Sequence, residues 1–394
     1  MTTELAKDIY YVGVADAGLK VFDIIMETEY GTTYNAYLVK GEKSALVETV
    51  HDKSLDEYIS NIEQIMPVSE IDYVICNHTE PDHSGSLVKI LELNPEIQVV
   101  GTTAALRNLK EITNRTFHEV LAKDGETLDL GNGLVLKFII APNLHWPDTM
   151  MTYLEARKTL FSCDVLGAHY YEPTVTDEGI QNYANYEKAL KVYYDCIVSP
   201  FNEFVIKGLQ KLQGLDIQMV CNSHGPVLKK YISEGLEKYS QWSKPHVNEK
   251  KTAAIFYVSA YGYTEKLAET IREELLKQGL AVHFYNVIES DPAEMMEKLH
   301  TADALLFGSP TINRNALKPI WDTISSMDLI NMRNKPVMVF GSYGWSGEGT
   351  QLLEQHLTAM RLKVFEKPFT CVFKPTEEKL EELRQYTDRF AESF

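Results

Sequence analysis

The sequence predicts an α/β protein of two domains, and three observations support this. The chain has 394 residues, and domains average about 150 residues. The stretch 243–251 is polar and contains a proline, as interdomain linkers commonly do. Beyond it, apolar strand segments alternate with helical segments, a pattern typical of a doubly wound parallel sheet. We therefore predict domains at 1–242 and 252–394, joined by a linker at 243–251.

Composition and charge exclude several function classes. The hydrophobic fraction is 44% and the charged fraction 24%, as in ordinary globular proteins. The formal net charge of −18 argues against nucleic acid or an anionic membrane as partner, since both require a basic face. No apolar stretch approaches the ~20 residues of a membrane span, and the N-terminus lacks a signal-peptide core. The five cysteines are scattered without a C-x-x-C pair, so we expect buried thiols and a cytoplasmic protein.

Short strands and helices alternate in the first domain. Apolar runs predict strands at 33–38, 44–50, 71–75, 134–141, 159–163 and 217–221, with a hairpin turn at 41–43. Helical periodicity predicts helices at 55–65, 86–93 and 104–111.

Metal-binding side chains are concentrated directly after the apolar run 71–75. They are His78, Glu80, Asp82 and His83. Pro81 is expected to keep this segment out of regular structure. The alternative is a polar turn that caps a helix at Asp82 or Ser84. Converging histidines and carboxylates are the usual signature of a metal site, so the density of ligands favours a metal centre.

Three further metal-ligand candidates each follow an apolar run. His145 follows 134–141, Asp164 follows 159–163, and His224 follows 217–221. Singly, each would be interpreted as a loop histidine or a turn-forming aspartate. The repetition of this strand-end position favours a shared role, and the family resemblance described next assigns all three to the same site as the first four.

The pattern of residues 78–83 resembles the His-x-His-x-Asp-His motif of the metallo-β-lactamase superfamily, with Glu80 at the second histidine. Within that superfamily, a glutamate at this position resembles the flavodiiron proteins. The resemblance extends from Thr33 to Pro226. It implies an αββα sandwich in which His78, Glu80 and His145 bind one iron, Asp82, His83 and His224 bind the other, and Asp164 bridges. A carboxylate in place of imidazole suits iron, whereas zinc does no redox chemistry.

Aromatic and histidine side chains outside this motif are also candidates for the site. Trp146 is a candidate for the pocket wall, although a buried core aromatic is the alternative. Tyr193, Tyr194 and His169 are candidates to supply a proton or hydrogen bond near the irons.

The second domain is predicted as five strands with helical crossovers. Strands are expected at 253–258, 282–287, 304–308, 336–341 and 364 with 371–373, and helices at 264–277, 292–299, 317–326, 350–361 and 377–391. Neither a P-loop nor a G-x-G-x-x-G fingerprint is present.

Three strand-end loops of this domain are candidates for a flavin site. The first has hydroxyls at both ends and a glycine, before a helix whose amides favour an anion. It resembles the phosphate loop of flavodoxins, which bind FMN without Lys or Arg; a plain Ser/Gly turn is the alternative. The resemblance implies FMN contacts in all three loops, with Tyr343 or Trp345 stacking on the flavin ring. The residues are Ser259, Ala260, Tyr261, Gly262, Tyr263 and Thr264; Pro310, Thr311, Ile312 and Asn313; Ser342, Tyr343, Gly344, Trp345 and Gly347.

The combined resemblance implies an oxidoreductase that reduces O2 to water, NO to N2O, or both. Electrons would pass through FMN from an external donor, such as rubredoxin, a flavoprotein reductase or a reduced deazaflavin. It also implies a head-to-tail homodimer, or a tetramer built from it. Two other classes stay open from the sequence: a zinc hydrolase of this fold with an attached flavodoxin domain, and an electron carrier whose first domain is structural.

Overall fold

The computed structural model describes residues 2–24 and 26–394. The chain divides into two compact units, Met1–Lys244 and Pro245–Phe394. The division lies inside the stretch 243–251 that the sequence predicts as a linker. Across the described residues, no helix has the length and apolar character needed to span a membrane.

Sixteen strands and seven α-helices form the first unit. In chain order they are β1 Thr3–Ala6, β2 Ile9–Tyr11, β3 Val14–Asp16, β4 Val21–Phe22, β5 Met26–Glu27, β6 Thr32–Tyr34, β7 Tyr37–Lys40, β8 Ser44–Val47, α1 Leu55–Glu63, β9 Tyr73–Ile75, α2 Pro81–Ser84, α3 Leu87–Leu93, β10 Gln98–Gly101, α4 Thr103–Thr113, β11 His118–Leu121, β12 Thr127–Asp129, β13 Val135–Ile140, β14 Met150–Leu154, β15 Thr159–Cys163, α5 Tyr183–Tyr193, α6 Asn202–Leu212, β16 Met219–Asn222 and α7 Ile232–Trp242. These bounds are those of the described part of the chain.

Two sheets pack face to face between helices. One has the order β1-β2-β7-β8-β9-β10-β11 and the other the order β12-β13-β14-β15-β16. Side chains alternate along each strand, so in β9 Tyr73 and Ile75 join the core between the sheets while Val74 packs toward the helices. The other sheet likewise buries Leu160 and Val220 against Tyr193 and Tyr239 of the helical layer. The predicted αββα sandwich is therefore confirmed.

The predicted strand at 33–38 is wrong as one element, because the chain changes sheets inside it. β6 pairs with β3 in a separate ribbon, whereas β7 pairs with β2 in the large sheet. Asn35 occupies the break, and its side-chain amide donates to the backbone oxygens of Asn222 (2.9 Å) and Gly225 (2.8 Å). These partners are distant in sequence, so local periodicity carries no signal for the break.

The second unit is a doubly wound parallel sheet, as predicted. Its elements are β17 Thr252–Tyr257, α8 Tyr263–Lys277, β18 Ala281–Asn286, α9 Pro292–Thr301, β19 Ala304–Gly308, α10 Lys318–Ser325, β20 Pro336–Tyr343, α11 Glu348–Ala359, β21 Lys363–Val364, β22 Phe369–Val372 and α12 Glu377–Glu392. The strand order is β18-β17-β19-β20, and both β21 and β22 pair with β20. Helices α8 and α12 cover one face and α9, α10 and α11 the other.

Candidate metal and flavin sites

The segment after β9 places four candidate ligands in one loop and one helical turn. The structure corrects the expectation for Pro81, which begins the short helix α2. Proline is tolerated at the first helical position because the amide hydrogen there has no intrahelical partner. The helix is closed by the Ser84 amide, which donates to the Glu80 carbonyl at 3.0 Å. As a result Asp82 and His83 are carried on a helical turn, while His78 and Glu80 lie on the loop before it.

One group of ligand atoms contains His78, Glu80, His145 and Asp164, all within 4.8 Å of one another. The Nε2 atom of His145 lies 2.9 Å from Oε2 of Glu80, and Nε2 of His78 lies 3.5 Å from the same oxygen. Oδ2 of Asp164 is 3.7 Å from Nε2 of His78 and 3.7 Å from Nδ1 of His145. Four side chains from three separate loops therefore converge on one point.

A second group contains Asp82, His83 and His224. Oδ2 of Asp82 lies 3.1 Å from Nε2 of His83 and 3.1 Å from Nε2 of His224. The two imidazole nitrogens are 2.9 Å apart. Oδ1 of Asp164 lies 3.6 Å from Nε2 of His83, so the two carboxylate oxygens of Asp164 face different groups. This is the arrangement that a bridging carboxylate requires.

Three loops of the second unit lie at the carboxyl ends of adjacent parallel strands. They follow β17, β19 and β20, and Ser342 and Tyr343 belong to the end of β20 itself. The hydroxyls of Thr264 and Ser342 are 2.8 Å apart, and the Thr311 amide donates to the Ser342 carbonyl at 2.9 Å. Gly262 has a φ of 77°, a conformation that glycine adopts without strain. The structure thus brings all three predicted flavin loops together.

The two units of the chain match two different protein families. A family described as ODP family beta lactamase matches residues 32–225, and one described as flavodoxin matches residues 255–386. The flavo-diiron protein FprA2 of Clostridium acetobutylicum is 45% identical over 395 residues, covering 99% of each chain. This chain belongs to the flavodiiron protein family. It is therefore an oxidoreductase, and the predicted cofactors, FMN and a diiron centre, agree with the family.

Solved structures of flavodiiron proteins have the same fold over the whole chain. The rubredoxin oxygen:oxidoreductase of Desulfovibrio gigas is 27% identical with a TM-score of 0.73, covering 100% of this chain and 98% of that one. The flavodiiron protein of Giardia intestinalis is 25% identical with a TM-score of 0.69 and the same coverage.

The chemistry of the cluster fits two metal ions. Polar atoms buried there without a hydrogen-bond partner in the described structure belong to His78, Asp82, His83, His145 and Asp164. An unsatisfied buried polar atom costs ~1–3 kcal/mol, and more if it is charged. Cations in the two groups would satisfy these atoms together, and nitrogen and carboxylate donors without thiolate suit non-haem iron.

Electrostatics keep the carboxylates of the flavodiiron cluster ionised. Burial opposes ionisation of Glu80, but hydrogen bonding to His145 and His78 outweighs it and lowers the pKa to about 2. Burial also opposes ionisation of Asp164, yet the charges of His78 and neighbouring histidines hold its pKa well below the usual range. Burial would lower the pKa of His224, but its hydrogen bond to Asp82 dominates and raises the pKa to about 9. The carboxylates are thus ionised and available as donors, whereas the histidines must be neutral to bind, so cations would displace protons from them.

Two residues that the sequence analysis missed support the ligands. Nδ1 of His224 donates to the Thr33 carbonyl at 2.7 Å, which fixes the ring so that Nε2 faces Asp82. Glu48 is fully buried beside His78 and accepts from the Asn77 amide at 3.1 Å; burial raises its pKa to about 8. The sequence did contain a signal for Glu48, because an acidic residue directly follows the apolar strand β8. The Thr33 carbonyl leaves no signal in the sequence, because every residue has a backbone carbonyl.

The remaining aromatic candidates separate into two sets. Trp146 packs edge-on against His78 and His145, with ring centroids 6.3 Å and 6.5 Å away. Tyr193 and His169 also lie beside the cluster. Tyr194 does not, because its hydroxyl lies 2.8 Å from Ser243 Oγ and its ring packs on Tyr239.

The flavin loops fit an aromatic ring system. Trp345 is 96% exposed and Tyr261 is 80% exposed, both in the loops predicted to hold FMN. Both rings are available to stack on a planar cofactor, and burying them would contribute roughly 25 cal/mol per Å² of apolar surface. Ser259 Oγ accepts from the Glu265 amide at 3.3 Å, which places that hydroxyl at the first turn of α8. A phosphate bound there would meet the positive end of the helix.

Proposed function

We propose that this flavodiiron protein reduces an uncharged diatomic gas, O2 to water or NO to N2O or both, at a non-haem diiron site. FMN, when bound, would supply the electrons, which an external donor provides. The observation that carries the proposal is the position of Asp164, whose two oxygens face two separate groups of ligands. The same chain holds three convergent loops suited to a flavin. A pair of metals served by an electron carrier matches a multi-electron reduction.

The roles proposed for this chain's residues follow from their positions. His78, Glu80 and His145 would hold one ion, Asp82, His83 and His224 the other, with Asp164 bridging. When bound, the irons supply redox chemistry and FMN supplies electrons. The cluster residues are buried or nearly so, which excludes bulk water and strengthens their electrostatic interactions. The Thr33 carbonyl holds the His224 ring by a hydrogen bond. Trp146 packs edge-on against the ring of His145 in the first group of ligands.

The proposal predicts the metal content. The purified protein should contain about two irons per chain, with zinc minor, and should consume O2 or NO when its flavin is kept reduced. Glu80→His should shift metal content toward zinc and abolish gas consumption, because it replaces a hard anionic donor by imidazole. Elemental analysis and gas-electrode assays give both results.

The matched control is Glu70→His, which makes the same change at an exposed position outside the cluster. It should retain iron and activity. A wild-type protein that holds two zincs and consumes neither gas would contradict the proposal and point to the hydrolase.

We further propose that the protein works as a head-to-tail homodimer. The candidate ligands and the flavin loops lie at strand ends of different units, and electron transfer slows steeply with distance. A two-fold pairing in which the flavin of one chain faces the metal site of its partner would solve this.

Subunit exchange tests the homodimer. His78→Ala with His145→Ala removes iron, and Ser259→Ala with Thr264→Ala removes FMN, so each homodimer should be inactive. Heterodimers should regain activity, because each contains one complete flavin–iron pair across the interface. Inactive heterodimers, verified by tagged co-purification, would mean that transfer occurs within one chain.

A further inference from the structure

A cavity of about 710 Å³ opens in the first unit between α5 and the segment that carries β4 and β5. Val192 and Cys196 lie at its exposed end. Val21, Met26 and Ala189 form apolar walls, and Tyr193 and His169 lie at the buried end. The sequence analysis gave no indication of this cavity, since its walls come from two segments that are distant in sequence, 20–30 and 169–196.

The buried end of the cavity adjoins the metal cluster. The ring of Tyr193 lies 5.8 Å from that of His224, which places the phenol beside the candidate ligands. The ring of His169 lies 5.0 Å from that of His224 and 5.0 Å from that of Tyr193. Its Nδ1 is 2.8 Å from Thr32 Oγ1. One layer of side chains therefore separates the cavity from the candidate ligands.

Two polar side chains form the buried end of the cavity. Nε2 of His169 and the hydroxyl of Tyr193 are buried and lack a hydrogen-bond partner among the described residues. His169 is 5% exposed and Tyr193 is fully buried. An uncharged diatomic would offer these atoms no hydrogen bond, so the two residues bear on the route through their position between the cavity and the cluster.

We propose that this cavity is the entry route by which the uncharged diatomic substrate reaches the metal cluster, passing between His169 and Tyr193. The inference rests on the proposed function, and it adds a binding site for the gas outside the ligand cluster.

The chemistry of the walls identifies the class of guest. Val21, Met26, Ala189 and Val192 offer apolar surface, and apolar cavities bind small apolar guests such as xenon. Lys20, Glu27, Glu29 and Lys188 also line the cavity, and all four are exposed. The paired charges of Lys188 and Glu29, 2.6 Å apart, cancel one another beside the opening. A neutral diatomic enters such a space at little cost.

The backbone next to Tyr193 is irregular. A π-helical turn, Tyr194–Val198, follows α5 directly and carries Cys196. Single π-helical turns occur mostly at functional sites. Here the turn sets Tyr193 against the cluster and turns Tyr194 away to Ser243. A shift of the His169 or Tyr193 side chain would open the layer between cavity and cluster.

Xenon tests the cavity directly. Crystals of the holoprotein pressurised with xenon should show a xenon atom between Ala189 and Val192. Absence of xenon from this cavity would overturn the proposal, whatever the activity of the enzyme.

A blocked cavity tests the route. Val192→Trp should fill the exposed end and raise the KM for both O2 and NO several-fold, with kcat at saturating gas and iron and FMN content unchanged. Ala184→Trp adds the same bulk at an exposed position on α5 that does not line the cavity, and it should behave as wild type.

The outcomes separate this inference from the proposed function. A KM within twofold of wild type in Val192→Trp, or a lower kcat with unchanged KM, would overturn the entry route while leaving the reductase intact. A wild-type protein without gas consumption would overturn the reductase, and the xenon experiment would still decide whether the cavity accepts an apolar gas. A rise in KM for one gas alone would also overturn the proposal. O2 and NO are both small and uncharged, and the entry route depends on that property.

Discussion

Asp164→Asn should remove at least one iron per chain and lower gas consumption by more than about 100-fold, since loss of a group that only supports a metal ligand already costs about 10–100-fold. The asparagine keeps the size of the side chain but offers one neutral oxygen where the aspartate offers two anionic ones. Those two oxygens face Nε2 of His83 at 3.6 Å and Nε2 of His78 at 3.7 Å. Iron analysis and gas uptake on the same sample measure the effect.

Asp216→Asn is the matched control for this change. Asp216 forms a surface ion pair with Lys158 at 2.6 Å, so its loss removes a carboxylate without touching the cluster. Surface pairs of this kind contribute ~0–1 kcal/mol. A variant Asp164→Asn with full iron content and normal turnover would show that the residue does not bridge.

Ser259→Ala combined with Thr264→Ala should weaken FMN binding by about two to four orders of magnitude. Each hydrogen bond to a charged phosphate contributes ~1.5–3 kcal/mol, and the pair supplies two. Iron content should not change, because both residues lie in the second unit. Flavin absorbance after reconstitution and titration with FMN measures the loss.

Thr270→Ala is the control on the same helix. Thr270 is buried like Thr264, and its hydroxyl donates to the Lys266 carbonyl at 2.9 Å. Its loss should leave FMN affinity within a few-fold of wild type. If both variants bind FMN equally, the hydroxyls of Ser259 and Thr264 are not phosphate ligands.

Local sequence patterns were sufficient to predict those functional residues that directly follow a strand. All seven candidate ligands follow apolar strands, and a strand end is visible in the sequence as an apolar run that stops at a polar residue. The second unit was predictable for a similar reason, since each buried parallel strand is a short continuous apolar run. Thr159–Cys163 and Ala304–Gly308 were predicted to the residue.

Features that depend on distant partners were not predictable. The strand β14, Met150–Leu154, was missed although it is largely apolar, and in the structure it pairs with both β13 and β15. The helix α2 was missed because the sequence analysis expects Pro81 to interrupt regular structure. In the structure Pro81 is the first residue of the helix. The Thr33 carbonyl that orients His224 belongs to the backbone, and any residue type would provide it.

The division of the candidate ligands between the two sheets has a thermodynamic consequence. His78, Glu80, Asp82 and His83 follow a strand of one sheet, whereas Asp164 and His224 follow strands of the other. Ions bound between them would act as a clamp across the layers, so iron affinity and the stability of this unit are linked quantities. A chelator then behaves toward the first unit as a mild denaturant. The flavin-binding unit contributes nothing to the clamp and would keep its own melting behaviour.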